Sequence, residues 1–236
     1  MKIAIMQPYL FPYIGYFQLI KAVGKFIVYD DVNFIKQGWI NRNSILVQNK
    51  SYLFTLPLSN QSSFSKINEI KINDKLYESW KIKILRTVEQ SYKKAPFFFD
   101  SFVLLNEILN VTVENLTISK YNANGIKIIC NYLNIKTEII DSSSIYINSD
   151  LKGQNRILDI CLREQAIHYI NPIGGLDLYD RDIFKDSSIQ LNFLKTDTII
   201  YNQFGQEFVP FLSIIDVLMF NSPEEINVML DNYKLL

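Results

Sequence analysis

The chain is poor in the residues that most often carry chemistry by themselves. Its 236 residues include one histidine, His168, and two cysteines, Cys130 and Cys161. One imidazole and no CxxC spacing exclude multi-histidine zinc sites and Cys/His metal clusters. A Ser-His-Asp triad would have to be built on His168 itself, and a lone histidine at a strand start reads as a satisfied structural residue. There is no Walker A sequence and no GxGxxG after a strand, so two common phosphate-binding loops are missing. An excess of one charge is missing too: 24 Lys+Arg face 24 Asp+Glu, and neither sign forms a long block. Without a basic stripe the chain offers no nucleic-acid surface. No apolar run reaches the roughly 18 residues of a membrane span. The opening MKIAIM faintly resembles a signal peptide, but Gln7, Pro8 and the tyrosines interrupt it and no small-residue cleavage site follows. The expectation is a cytoplasmic protein with reduced, buried thiols.

What is present is apolar and aromatic. Hydrophobic residues make up 48% of the chain and aromatics 14%, enough to bury one large core. Lys2–Met6 reads as a short strand, Ile14 to Val23 as a helix stopped by Gly24, and Lys25–Tyr29 as a second buried strand. Strand, helix and strand within about thirty residues make a minimal parallel crossover. Ser44–Gln48 and Tyr52–Leu56 read as a hairpin turning at Asn49-Lys50, and Ile67–Ile72 as a third short strand. Helical spacing then runs through Leu76–Tyr92, Phe97–Leu109 and Val113–Leu133. Thr137–Ile140, the helix Gln154–Gln165, His168–Ile170 and Gln190–Leu194 restore the α/β alternation, and two helices close the chain. The expected fold is α/β, with a parallel core sheet containing the strands at 2–6, 25–29, 137–140 and 168–170. Residues 1–75 and 134–236 form the core, with a helical insertion at 76–133, in one compact domain.

Three irregular stretches each follow a strand, and ligands of open α/β sheets bind beyond the carboxyl ends of strands. The first, Gln7-Pro-Tyr-Leu-Phe-Pro-Tyr-Ile-Gly-Tyr16, crowds four aromatics, two prolines and a glycine into ten residues. Gly15 there lets a ligand approach the backbone, and the helix N-terminus favours an anion. Its layout resembles the HxGH nucleotidyltransferases, with Tyr13-Ile-Gly-Tyr16 standing where that motif would be. Both histidines are tyrosines, which removes the positive charge. The second stretch runs from Tyr29-Asp30-Asp31 to Asn43 and includes Lys36, Trp39, Asn41 and Arg42. Asp suits an amine or hydroxyls, and Lys and Arg suit phosphates. Alternation along a strand turns the two aspartates apart, so one faces the pocket while the other caps a turn or pairs with Arg42. The third, Asn171 to Tyr179, contains Gly174-Gly175, a place for close backbone approach or a tight turn. The three segments are expected to converge. A fourth, Tyr201 to Asp216, supplies Ser213 as a helix N-cap, with Asp216 able to complete a capping box.

These blocks together resemble the WbqC-like family of bacterial proteins over essentially the full length. The resemblance rests on Gln7 to Gln18, Tyr29-Asp30-Asp31, Lys36 to Asn43, Gly174-Gly175 with Tyr179, and Phe208-x-Pro-x-Leu-Ser-Ile-Ile-Asp216. Such proteins occur in gene clusters for O-antigen and other surface polysaccharides. The resemblance implies a transferase that adds glycine or another amino acid to a dTDP- or UDP-linked amino sugar. Asp30 or Asp31 would be the base. Gln7, Tyr9, Tyr13, Gly15, Tyr16, Gln18, Lys36, Trp39, Asn41, Arg42, Asn43, Gly174, Gly175 and Tyr179 would bind substrate or cofactor. ATP, a thioester or an aminoacyl-tRNA could supply the activated acyl group, and the missing basic face counts against tRNA. A nucleotidyltransferase or ligase that never touches a sugar, and a non-catalytic sugar-nucleotide binder, stay open as alternatives.

Overall fold

A computed structural model describes residues 1–205 and 207–236. In chain order its elements are β1 (Lys2–Met6), α1 (Ile14–Lys21), β2 (Lys25–Val28), β3 (Arg42–Val47), β4 (Lys50–Thr55), β5 (Leu58–Ser59), β6 (Lys71–Ile72) and α2 (Asp74–Tyr92). There follow α3 (Phe98–Leu109), α4 (Ile118–Tyr132), β7 (Glu138–Ile140), α5 (Gly153–Arg163), β8 (His168–Pro172), α6 (Arg181–Asp186), β9 (Gln190–Thr196), α7 (Ile214–Phe220), α8 (Pro223–Met229) and β10 (Tyr233–Leu235). The strands expected in the core are all in one sheet, ordered β10-β9-β8-β1-β2-β7. β1 pairs in parallel with β2 and β8, β2 with β7, and β8 with β9, while β10 closes the edge antiparallel to β9.

The core strands are apolar on both faces, as a helix-covered parallel sheet requires. Ala4, Phe26 and Val28 face one core with residues of α1, α2, α3, α4, α7 and α8. Ile3, Ile5, Ile27 and Tyr169 face a second core with Ile157, Ile160 and Cys161 of α5 and Phe184 of α6. Phe17 and Phe26 are fully buried, and each such side chain is worth about 1.5–3 kcal/mol by transfer from water. The two cysteines lie in opposite cores, both free, and burial pushes each thiol up to about 12.

Local chemistry sets the helix ends. Asn73 caps α2, Thr117 caps α4, and Ser222 with Glu225 forms a capping box around Pro223 at the head of α8. The hairpin β3–β4 stands apart from the main sheet and turns one residue early, at Gln48-Asn49, where both residues are left-handed at φ 50° and 58°. The third strand expected at Ile67–Ile72 is a 3-10 turn over Ile67–Glu69, and only Lys71–Ile72 pairs, with Leu58–Ser59. Among the described residues no helix is long and apolar enough to cross a membrane.

Candidate functional site

The chain runs outward from β1 through β2 to β7, then crosses back to β8 and continues to β9. Strand order therefore reverses between β1 and β8, and an open parallel sheet has its ligand crevice at the carboxyl ends beside such a reversal. Gln7 follows β1 there, Tyr29-Asp30-Asp31 follow β2, Asp141–Ser144 follow β7, and Ile173–Tyr179 follow β8.

The Gln7–Pro12 turn is held rigidly. Its carbonyls at Gln7, Pro8, Leu10, Phe11 and Pro12 accept, respectively, from Tyr16 Oη, Asn122 Nδ2, Asn43 Nδ2, Asn43 Nδ2 with Ser213 Oγ, and the Ile214 amide. Phe11 sits in the left-handed region at φ 43°, a costly place for an aromatic residue that surrounding bonds must enforce. Asn43 and Ser213 supply that enforcement. Tyr16 and Asn43, expected to touch ligand, are thus ties within the fold. Asn41 likewise donates to Leu56 O, and Gln18 is buried with its amide donating to Met229 O and Asn232 O. Gly15 does not bare the backbone: a Cβ there would collide with the Tyr13 ring, which lies over the first turn of α1. Burial raises the Tyr13 phenol, and Thr196 at the end of β9 draws it back. Gln7 and Tyr9 are half-buried and Tyr13 is exposed.

At the end of β2 the two aspartates part as alternation requires. Asp30 turns to the α4 side, where Oδ2 accepts from Ser119 Oγ at 2.6 Å and Oδ1 from Ser142 Oγ at 2.7 Å and the Ser143 amide at 3.2 Å. Burial pushes its carboxyl above the ordinary range; the Ser119 and Ser142 hydroxyls pull it down, Asp31 pushes it up, and the Ser143 amide pulls it down. Ser142 Oγ lies 2.7 Å from Ser144 Oγ, so a hydroxyl chain links Asp30 to exposed Ser144. Asp31 turns to the α5 side and forms an ion pair with buried Arg156, accepting also from Ser143 Oγ. Arg156 in turn donates to Asn148 Oδ1 at 3.0 Å and lies 5.1 Å from the centre of the Tyr29 ring.

The pairing expected between an aspartate and Arg42 is therefore replaced by Asp31–Arg156. Arg42 is tied into its own loop, donating to Gln37 O and Gly38 O with its guanidinium over Trp39. Lys36 and Trp39 are exposed on that loop, which joins the first segment through Leu10 N to Trp39 O at 3.0 Å. Within β8, Asn171 Oδ1 accepts from Tyr169 Oη, and Tyr169 Oη reaches Tyr179 Oη, beyond the strand, at 3.3 Å. Burial raises the Tyr179 phenol, Tyr169 pulls it down, and nearby Tyr29 pushes it up. A Cβ at Gly175 would meet the Asn171 side-chain amide, whereas among the described residues nothing lies within 4 Å of a Cβ at Gly174. His168 sits at the opposite, amino end of β8, bonded to Asn192. Asp216 completes no capping box. Ser213 caps α7 through the Ile215 amide, while the Asp216 carboxylate accepts from Tyr92, Tyr201 and Gln203.

A family model described as the WbqC-like protein family matches residues 7–228. The chain belongs to that family. A relative described as uncharacterized, from Mycobacterium tuberculosis, is 31% identical over 219 residues, covering 92% of each chain. No solved structure matches. The matched region contains Gln7, both aspartates, Arg156 and Gly174. Three polar partners, Ser119, Ser142 and Arg156, were not recognisable as such from the sequence. Each lies at least 89 residues from its aspartate, and only the run Asp141-Ser-Ser-Ser144 after a strand hinted at one of them.

Proposed function

We propose that this member of the WbqC-like family is a transferase that tailors a nucleotide-linked amino sugar for O-antigen or another surface polysaccharide, acylating its amino group with glycine or another amino acid. The observation that carries the reading is Asp30, a buried strand-end carboxyl held by neutral donors and linked to exposed Ser144 through hydroxyls. A raised carboxyl is better matched to taking a proton near neutrality than an ordinary one. In the proposed step the sugar nitrogen attacks the acyl carbonyl. The N–C bond forms, the bond to the donor's leaving group breaks, and the amine proton passes to Ser142 Oγ as Ser142 gives its own proton to Asp30. Asp31, neutralised by Arg156, would hold the segment in place. Gln7, Tyr9, Tyr13 and Tyr179 would flank the base and sugar, Gly174 would admit a phosphate close to the backbone, and Lys36, Trp39 and Arg42 would close over the diphosphate.

The test is thermal-shift screening against UDP- and dTDP-amino sugars, since a ligand that binds only the folded state raises its melting temperature. Turnover with an activated aminoacyl donor follows. Stabilisation by an amino-sugar nucleotide but not by its hydroxyl counterpart, with acyl transfer lost in Asp30→Asn, is the expected result. A second reading, a nucleotidyltransferase or small ligase, draws on the strand reversal beside β1 and on Tyr13-Ile-Gly-Tyr16 at the head of α1. Pyrophosphate exchange dependent on one amino or hydroxy acid, with no sugar present, would select it. Sugar-nucleotide binding without turnover with any donor would leave a binding protein.

A further inference from the structure

Helix α3 is apolar on more of its circumference than its packing uses. Ser101, Leu104, Leu105, Ile108 and Leu109 are buried, yet Phe99 is 76% and Val103 55% exposed, one helical turn apart. The two stand together on the helix's outer face among polar neighbours, and an exposed apolar patch rimmed by polar residues marks a contact surface. Phe99 and Val103 line a groove of about 560 Å³ that runs from α3 past Tyr132 at the end of α4 to Pro223 at the head of α8. Three carboxylates, Asp100, Glu107 and Glu224, rim it, and among the described lining residues there is no lysine or arginine. Asp100 and Glu224 both lie near Tyr132: burial raises its phenol and the two carboxylates push it further up. The negative charge thus comes from opposite walls of the groove, α3 and α8.

We propose that this groove is the docking site for an amphipathic helical segment of a partner protein, its apolar face against Phe99 and Val103 and its lysines or arginines between Asp100, Glu107 and Glu224. Charge complementarity selects this occupant. The groove's apolar floor takes large side chains, its rim takes cations, and helix-in-groove recognition uses such a pairing of surfaces. The surface shares no residue with the sheet edge, so it stands whatever the fate of the proposed chemistry.

The experiment uses the full chain and a labelled helical peptide with leucines and phenylalanine on one face and lysines flanking them, read by fluorescence anisotropy. A charge-reversed peptide, with glutamates for lysines, is the control. Saturable binding of the basic peptide that weakens on raising salt is expected, with at least about tenfold preference over the control. Phe99→Ser with Val103→Ser should weaken it about tenfold or more. Asp100→Asn, Glu107→Gln and Glu224→Gln together should weaken it similarly and remove most of its salt dependence. These side chains are exposed, so the variants should melt close to the parent, and thermal unfolding checks that. The proposal is overturned by no binding, by equal binding of the charge-reversed peptide, or by variants that bind like the parent. It is also overturned if the protein self-associates through this face, seen as a dimer in sedimentation that Phe99→Ser abolishes.

Discussion

Asp30 and Asp31 are neighbours at the end of one strand, and they inhabit opposite electrostatic worlds. Asp31 enters the α5 side, where a buried guanidinium neutralises it and is itself held by Asn148 and the Tyr29 ring. Asp30 enters the α4 side, where among the described residues only hydroxyls and one amide donate to it. Hydrogen bonds from neutral donors satisfy a carboxylate without cancelling its charge, so burial still raises its proton affinity. An ion pair, by contrast, anchors: removing one partner strands a buried charge. The segment thus holds one carboxyl whose proton affinity is raised by burial and one neutralised inside a buried ion pair.

The largest expected effect breaks the poised half. Asp30→Asn keeps size and the acceptor for the Ser143 amide but cannot take a proton, so under the proposed function turnover should fall by about 10²–10⁴ with sugar-nucleotide binding largely intact. Steady-state kinetics beside a binding titration reads this, and a normal kcat would remove Asp30 as the base. The anchoring half is broken by Arg156→Ala, expected to cost about 3–5 kcal/mol of stability in denaturant unfolding, because Asp31 is left buried and unpaired. A loss under about 1 kcal/mol would show that the pair does not anchor.

A smaller loss, about 1–3 kcal/mol, is expected for Asn43→Ala, which orphans the buried carbonyl of Leu10 and leaves that of Phe11 to Ser213 alone. If stability is unchanged, the aromatic turn is held by packing rather than by its polar ties. The pH response sharpens the contrast without touching activity. Asp30's folded proton affinity is raised above its ordinary value of 3.8. Between that value and the folded one the native state holds the extra proton, so this group's contribution to stability falls as pH rises through the window. Asp30→Asn should therefore gain most over the parent near neutrality, and the gap should close on acidification in calorimetric scans. A gap that widens toward low pH would reverse the assignment. The smallest effect belongs to Arg42→Ala: its loop is largely self-contained, so stability should move by no more than about 0.5 kcal/mol. A raised KM at unchanged kcat would then identify it as a phosphate contact.

The sequence alone marked four parallel strands of the main sheet. Runs such as Lys2–Met6 and Lys25–Val28 are apolar on both faces, and that pattern has few solutions other than a parallel sheet between helices. Gly24 and Ser213 mark helix ends through chemistry confined to a few neighbouring residues, which is why such boundaries can be read locally. The sequence also brought Asp30, Asp31 and the turn at Gln7 to notice, because polar and proline-rich residues after a buried strand are conspicuous. What each of them does was decided by the tertiary structure. Whether Tyr16 and Gln18 reach a ligand or a carbonyl depends on what packs opposite, and the answers, Gln7 O and the C-terminal carbonyls of Met229 and Asn232, are set by how the chain closes. Asp31 found Arg156 rather than Arg42, 125 residues away, and Asp30 found Ser119 and Ser142 on two further elements. Periodicity tells a side chain which face to take; the charge waiting on that face comes from distant sequence, and only folding brings the two together.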